Sequence, residues 1–228
     1  MWRSVWARRV ADPDRFVIDQ IIMMYDALAF LTGFADQAVV LPVTFAVAAA
    51  LAAFGWRRGA LAWLGAVIGS IGLVVVLKLL FFYLYVYVPF GIHLKSPSGH
   101  TEAAVIVYGG LVALLAGRRR AGWSGMALAL GFGLLVGVVI GFTRLELHAH
   151  SKAEVLVGMA VGLGGIVALI RLAGAPPRAV HAPVLAVPAL AAMLLFHGGH
   201  LHGESALDHI AAALRANMRD ALRGLRGF

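Results

Sequence analysis

Two short polar stretches hold most of the side chains in this 228-residue chain that could do chemistry. The first is Lys95-Ser96-Pro97-Ser98-Gly99-His100-Thr101, which opens an apolar run. If a helix starts there, the free backbone N–H groups around Ser98 and Gly99 and the positive dipole end suit an anion. His100, in the first turn, can deliver a proton to a molecule bound at that point. The same residues also make a plain helix start, with Pro97 as breaker and Ser98 as cap. The second stretch is Thr143-Arg144-Leu145-Glu146-Leu147-His148-Ala149-His150-Ser151-Lys152-Ala153-Glu154. A helix beginning near His150 puts His150 and Glu154 at i and i+4 on one face. The carboxylate can then hold one ring N–H, fix the tautomer and leave the other nitrogen as nucleophile or base. Arg144 adds a planar, fork-shaped cation suited to phosphate. Taken alone, this stretch reads better as a solvated loop with surface ion pairs. His148-x-His150 invites a metal reading, but no carboxylate-rich or thiolate shell completes it, so no metal is expected.

The elements that must position these residues are apolar. Hydrophobic residues make up 61% of the chain and charged ones 13%, with a mean hydropathy of +0.89. A soluble domain is nearer half apolar and a quarter charged, so a water-soluble globule and a disordered chain are both excluded. Apolar runs fall at roughly 38–56, 59–81, 100–117, 122–142, 153–171 and 182–197. Each approaches the ~20 residues that a membrane-spanning helix needs. The expected fold is all-α, a polytopic membrane bundle of about six spans. Gly65/Gly69, Gly133/Gly137/Gly141 and Gly158/Gly162 stand at spacings that let helices approach closely in lipid. Segment 16–36, interrupted by Asp19, Asp26 and Asp36, and the tail from Ser205 to Phe228 read as amphipathic helices lying on the membrane surface.

Charge sets the orientation. Arg57–Arg58, Arg118–Arg120, Arg171 and Arg178 follow the first, third and fifth strong spans, hence share one face, expected to be cytoplasmic. The loops 82–99 and 143–152 then share the outer face. The net charge of +8 points to membrane lipids and topology rather than nucleic acid. With no cysteine, thiolate chemistry is absent. The N-terminus is broken by Arg3, Arg8, Arg9, Asp12, Pro13 and Asp14, unlike a cleavable signal peptide. Lys78, near the end of the second span, is an intramembrane charge and so a functional candidate. His197, His200 and His202 sit among glycines with no fixed geometry and read as a polar span end. Tyr83, Tyr85 and Tyr87 read as an interfacial aromatic belt.

Two histidines, an arginine, a glutamate and a phosphate-cradling turn on one face describe a metal-free phosphoryl-transfer site. Here the chain resembles the type 2 phosphatidic acid phosphatase (PAP2) superfamily, whose motifs are Lys-x6-Arg-Pro, Pro-Ser-Gly-His and Ser-Arg-x5-His-x3-Asp. Pro97–His100 matches the second motif, and Thr143-Arg144-x5-His150-x3-Glu154 the third with two conservative changes. Lys78 matches the first motif's lysine, but Tyr85 and Val86 stand where arginine and proline would be. Lys95 is a candidate replacement for that charge, as a point charge rather than a fork.

The resemblance implies that His150 attacks phosphorus, oriented by Glu154, and that His100 is acid and then base. Lys78, Arg144, Ser98, Gly99 and Lys95 would hold the phosphoryl oxygens. It implies no cofactor. Candidate substrates are phosphatidic acid, phosphatidylglycerol phosphate, undecaprenyl diphosphate and lipid A phosphates, met at the outer face of a bacterial-type inner membrane. A lipid phosphotransferase or a non-catalytic lipid-binding relative would keep the same site. A transporter would need polar residues spread through several spans, and here they gather near one end. The expected layout is residues 1–36 as a basic segment and interfacial helix, 37–172 as catalytic core, 173–204 as a further span with a His-rich loop, and 205–228 as a basic amphipathic helix.

Overall fold

A computed structural model describes residues 13–87, 96–116, 123–199 and 201. Seven helices follow in order: α1 Pro13–Gly33, α2 Gln37–Ala53, α3 Arg57–Tyr87, α4 Gly99–Ala116, α5 Trp123–Glu146, α6 Lys152–Ala173 and α7 Ala182–Phe196. Among the described residues there is no strand. The helices start and stop where local chemistry says they should. Asp36 caps α2 through a 2.8 Å bond from the Ala38 N–H, and α7 opens with proline in its first turn. Gly55 and Gly174, both at positive φ, lie just past the ends of α2 and α6.

Two ends extend further than the hydrophobic runs suggest. α3 continues to Tyr87, so the outer loop does not begin at residue 82. Nothing from Phe81 to Tyr87 breaks a helix, and Pro89 is the first residue that disfavours one, through its effect on residue 88. α5 likewise carries Thr143 and Arg144 as its last turn rather than releasing them into a loop.

α4 is the axis of the bundle. It is buried around most of its circumference, from Thr101 to Ala116, and packs on α5, α6 and α3. Glycines on the neighbours make this possible. A Cβ on Gly133 or Gly137 of α5, or on Gly162 of α6, would strike Val105 or Ile166 within 2.8 Å. Gly65 and Gly69 of α3 behave otherwise: both face open space, so they do not form the packing row expected of them. Trp63, fully buried, donates from Nε1 to the Thr44 carbonyl at 2.9 Å and locks α3 to α2.

Among the described residues, five helical stretches are long and apolar enough to cross a membrane, the first running Asp14–Ala53 through α1 and α2. α7, at 15 residues, is shorter and reaches only about 22 Å at ~1.5 Å per residue. The chain fits an integral membrane protein. α1 is helical over the segment read as interfacial, and is exposed on all sides from Val17 until Leu28. The terminal helix expected at 205–228, along with His200, His202, Lys95 and Arg118–Arg120, lies outside the described residues.

Helix directions sort the polar groups to two ends. The C-terminal half of α3, the start of α4, the end of α5 and the start of α6 meet at one end. At the other, Arg58 donates from Nε to the Leu172 carbonyl at 2.8 Å, with Arg57 next to the donor and Arg171 next to the acceptor in sequence. All the described residues expected to do chemistry belong to the first end.

Candidate active site

The site grows from the first turn of α6. Ser151 is the N-cap, accepting from the Glu154 N–H at 3.4 Å while Glu154 Oε2 accepts from the Ser151 N–H at 2.8 Å. This reciprocal pair satisfies two backbone donors that a helix start would otherwise leave open. Glu154 does more than cap. His150 Nδ1 lies 3.3 Å from the same Oε2, and the Ser96 N–H donates to Oε1 at 2.8 Å. Both side chains are nearly sealed from solvent, at 5% and 8% exposure for His150 and Glu154. One buried carboxylate therefore holds the imidazole of one polar stretch and the backbone of the other. Bonds to a charged acceptor are worth about 1.5–3 kcal/mol each, so the arrangement is stiff.

The Pro97–His100 turn is fixed against α6 a second time. The Ser98 N–H donates to the Glu154 main-chain carbonyl at 3.0 Å, and the Ser98 carbonyl accepts from the Glu102 N–H at 3.1 Å. The Ser98 and Thr101 hydroxyls lie 3.0 Å apart, both buried. A Cβ on Gly158 would stand 2.3 Å from the Ser98 carbonyl oxygen, so only glycine lets the turn lie this close to α6. At Gly99 a Cβ would meet nothing within 4 Å, which leaves room beside the first-turn N–H groups of α4.

Arg144 is buried in the last turn of α5, and its carbonyl accepts from the N–H groups of both Ala149 (3.0 Å) and His150 (3.3 Å). These two hydrogen bonds to one carbonyl fold the loop back and bring the His150 backbone beside that of Arg144. The loop turns at His148, a non-glycine residue at φ 54 whose side chain is exposed. His148 and His150 thus differ in setting, one exposed and one buried. Thr143 is buried, and its hydroxyl donates to the Ile140 carbonyl at 2.7 Å within its own helix.

Lys78 is placed against the other stretch. It lines a cavity of about 30 Å³ with Asp36, Gly99, His100, Glu102 and Leu201. That volume suits a single water. Two of these residues went unnoticed as candidates in the sequence. Glu102 is 1% exposed, has Ser70 of α3 as hydrogen-bonding neighbour, and its Oε1 has no partner among the described residues. Asp36 faces His100, with Oδ2 at 3.8 Å from Nε2, an ion-pair distance rather than a hydrogen bond. The signal for Asp36 was there to read: an aspartate just before an apolar run is a helix cap, hence fixed at a span end. Nothing in the spacing of Glu102 distinguished it. His197 is packed between Phe30 and Phe34, at ring centroid distances of 4.5 and 4.1 Å, consistent with a polar span end tied into the bundle.

The two motifs and Lys78 thus converge on one end of a helical bundle. The PAP2 superfamily model matches residues 59–176, just over half of the chain. The chain belongs to the PAP2 superfamily. The matched span contains Lys78, the Pro97–His100 turn and the Arg144–Glu154 segment, and PAP2 membership supports a phosphatase-type function. A protein of Klebsiella pneumoniae described as "Uncharacterized 22.5 kDa protein in cps region" is 29% identical over 125 residues, covering 51% of this chain. The match spans 57% of that relative's length. No solved structure matches. Within the PAP2 pattern, the departure at Tyr85 stands: α3 carries it near its C-terminal end, one helical segment with Lys78.

Proposed function

We propose that the chain is an integral membrane phosphatase that hydrolyses a lipid phosphate or diphosphate through a phosphohistidine on His150. The observation that carries this reading is Glu154, whose buried carboxylate contacts His150 Nδ1 and the Ser96 amide together. A carboxylate on Nδ1 fixes the tautomer with its lone pair on Nε2, the nitrogen that attacks. As the Nε2–P bond forms, the bond from phosphorus to the leaving oxygen breaks, and His100 gives that oxygen a proton. Water then enters, His100 takes its proton, and attack on phosphorus breaks the P–N bond. Inorganic phosphate leaves and both histidines return to their starting states. Lys78, Arg144 and the Ser98–Gly99 turn at the start of α4 offset the charge on the phosphoryl oxygens. The step needs no metal ion, since these cations and amides perform that task.

The lipid character of the substrate rests on the surroundings. Val76, Leu80, Phe142 and Leu156, all near the site end of their helices, are 46–62% exposed. A headgroup can enter between such helices while its tail stays in hydrocarbon. Arg57, Arg58, Arg171 and Arg178 at the far end favour a cytoplasmic far end, which puts the site at the outer face of a bacterial-type inner membrane.

The test is phosphate release by the detergent-purified chain from a panel of lipid phosphates and diphosphates, with chelator present. We expect chelator-resistant release that falls at least about 10³-fold in His150→Ala and about 10²- to 10⁴-fold in His100→Ala. Release by a folded His150→Ala variant at the wild-type rate would overturn the phosphohistidine reading. Turnover only when an alcohol acceptor is added would make the chain a phosphotransferase on the same residues.

A further inference from the structure

The proposed acid, His100, sits on a stripe of α4 that is occupied along its length by the hinge between α1 and α2. His100, Ala104 and Tyr108 are spaced i, i+4, i+8 and share that stripe. The Tyr108 hydroxyl donates to the Phe34 carbonyl at 2.7 Å. Ala35, 1% exposed, packs with Ala104, 0% exposed, in a small cluster with Ile140. Asp36 then falls beside His100, its side chain 9% exposed. The two carboxylate oxygens are divided. Oδ1 accepts from the Ala38 N–H at 2.8 Å and from the Leu201 N–H at 3.2 Å, which leaves Oδ2 turned to His100 Nε2. The Leu201 amide comes from the strap after α7, whose Gly199 approaches Ala38. Two amides therefore hold Oδ1, one more than a helix cap requires, and the Tyr108 and Ala35 contacts fix the hinge that carries it.

We infer that Asp36 is the positioning residue of His100: it holds the Nε2 edge of the ring so that Nδ1 transfers the proton to and from the oxygens at phosphorus. This inference rests on the phosphatase reading above. Among the described residues, the titratable groups around the ring are Asp36 from the α1–α2 hinge, Lys78 from α3 and Glu102 from α4 itself, all lining one cavity. Lys78 is taken up with phosphate in the proposed mechanism, and Glu102 lies on the same helix as His100, two residues along. Asp36 is the carboxylate that the structure places at ion-pair distance from the ring.

Asp36→Asn makes a clean test, because asparagine caps a helix about as well as aspartate and keeps an oxygen for the Ala38 and Leu201 amides. The full chain is assayed on phosphatidic acid, whose leaving alkoxide needs a proton, and on 4-nitrophenyl phosphate, whose leaving phenolate does not. We expect kcat/KM on phosphatidic acid to fall about 10- to 100-fold and kcat/KM on the nitrophenyl ester to stay within about threefold, because kcat/KM reports formation of the phosphohistidine and not its hydrolysis, which is common to both. Asp36→Glu, which keeps the charge, should recover part of the loss. Wild-type kcat/KM on both esters, or an equal fall in kcat/KM on both, would overturn the inference. His150→Ala run beside it separates the two ideas. If that variant is dead while Asp36→Asn behaves as wild type, only this inference fails. An active His150→Ala, or a wild-type chain that releases phosphate from no member of the panel, removes the phosphatase reading and the inference together.

Discussion

His150 and His100 each stand beside a buried carboxylate, but the two pairs are built at different ranges. His150 and Glu154 are four residues apart across one helix start, at 3.3 Å, and the capping box that begins α6 would hold Glu154 in position even without the histidine. His100 and Asp36 come from opposite ends of a tertiary contact, at 3.8 Å, and exist as a pair only because the α1–α2 hinge docks on α4. The ring nitrogens differ too: Glu154 takes Nδ1 of one histidine, Asp36 faces Nε2 of the other. A nucleophile gains from a partner that is stiff and local, since its nitrogen must stay in line with phosphorus. A group that must both give and take a proton is served by a looser partner at ion-pair distance.

The sharpest way to break this comparison is to remove the local carboxylate. Glu154→Ala should lower phosphate release about 10⁴-fold, the loss found when the carboxylate behind the catalytic histidine of a serine protease is replaced. It should also destabilise the chain, because the Ser96 and Ser151 amides lose their buried acceptor at about 1–3 kcal/mol each. Melting temperature and activity would therefore fall together. In Asp36→Asn they should separate, with activity on the alkyl ester falling while the melting temperature holds. Were both variants to lose stability and activity in proportion, the two pairs would be structural in the same sense and the contrast would fail.

Range also explains which parts of the molecule could be read from the chain. The six hydrophobic runs became α2 to α7 nearly at their expected bounds, because the length and apolarity of a span are local properties. His150 with Glu154, and Pro97 through His100, were legible for the same reason, since a fixed sequence interval translates directly into a helical face or a helix start. Asp36 was visible only as a polar interruption in segment 16–36. Its partner is 64 positions along, and no periodicity reports which hinge will lie on which helix. Glu102 looked like any residue in an apolar run, yet it is buried beside Ser70 and shares a cavity with Lys78. The extension of α3 to Tyr87 follows from the absence of a breaker, a weaker signal than the presence of one.

The glycine rows sharpen the lesson within a single residue type. Gly158 had looked like a packing residue without functional content. Its missing Cβ instead makes room for the Ser98 carbonyl, so it sets how the Pro97–His100 turn sits above α6. Gly158→Ala would force a backbone oxygen from 2.3 Å to ordinary contact, and backbone cannot swing aside as a long side chain can. The cost is of the overpacking kind, about 1–3 kcal/mol. The Ser98 turn would move away from Glu154, and phosphate release should fall about tenfold or more, the loss expected of a misplaced binding group. Retained activity with lowered stability would show that the turn tolerates displacement.

Gly69→Ala is the control for that claim and has the smallest expected effect. Gly69 lies in α3, the helix of Lys78, and by spacing alone it matched Gly158 as half of a small-xxx-small pair. A Cβ at Gly69 meets nothing within 4 Å, so no neighbour has to give way. Alanine also favours the helix over glycine by up to about 1 kcal/mol. Activity should stay within about twofold and the melting temperature should hold or rise slightly, as read by phosphate release and thermal unfolding in detergent. A loss as large as that of Gly158→Ala would mean that another surface covers this face of α3 in the membrane, a second copy of the chain being the simplest. Spacing gives both glycines the same signature, and only the atoms beside each decide which of them the site depends on.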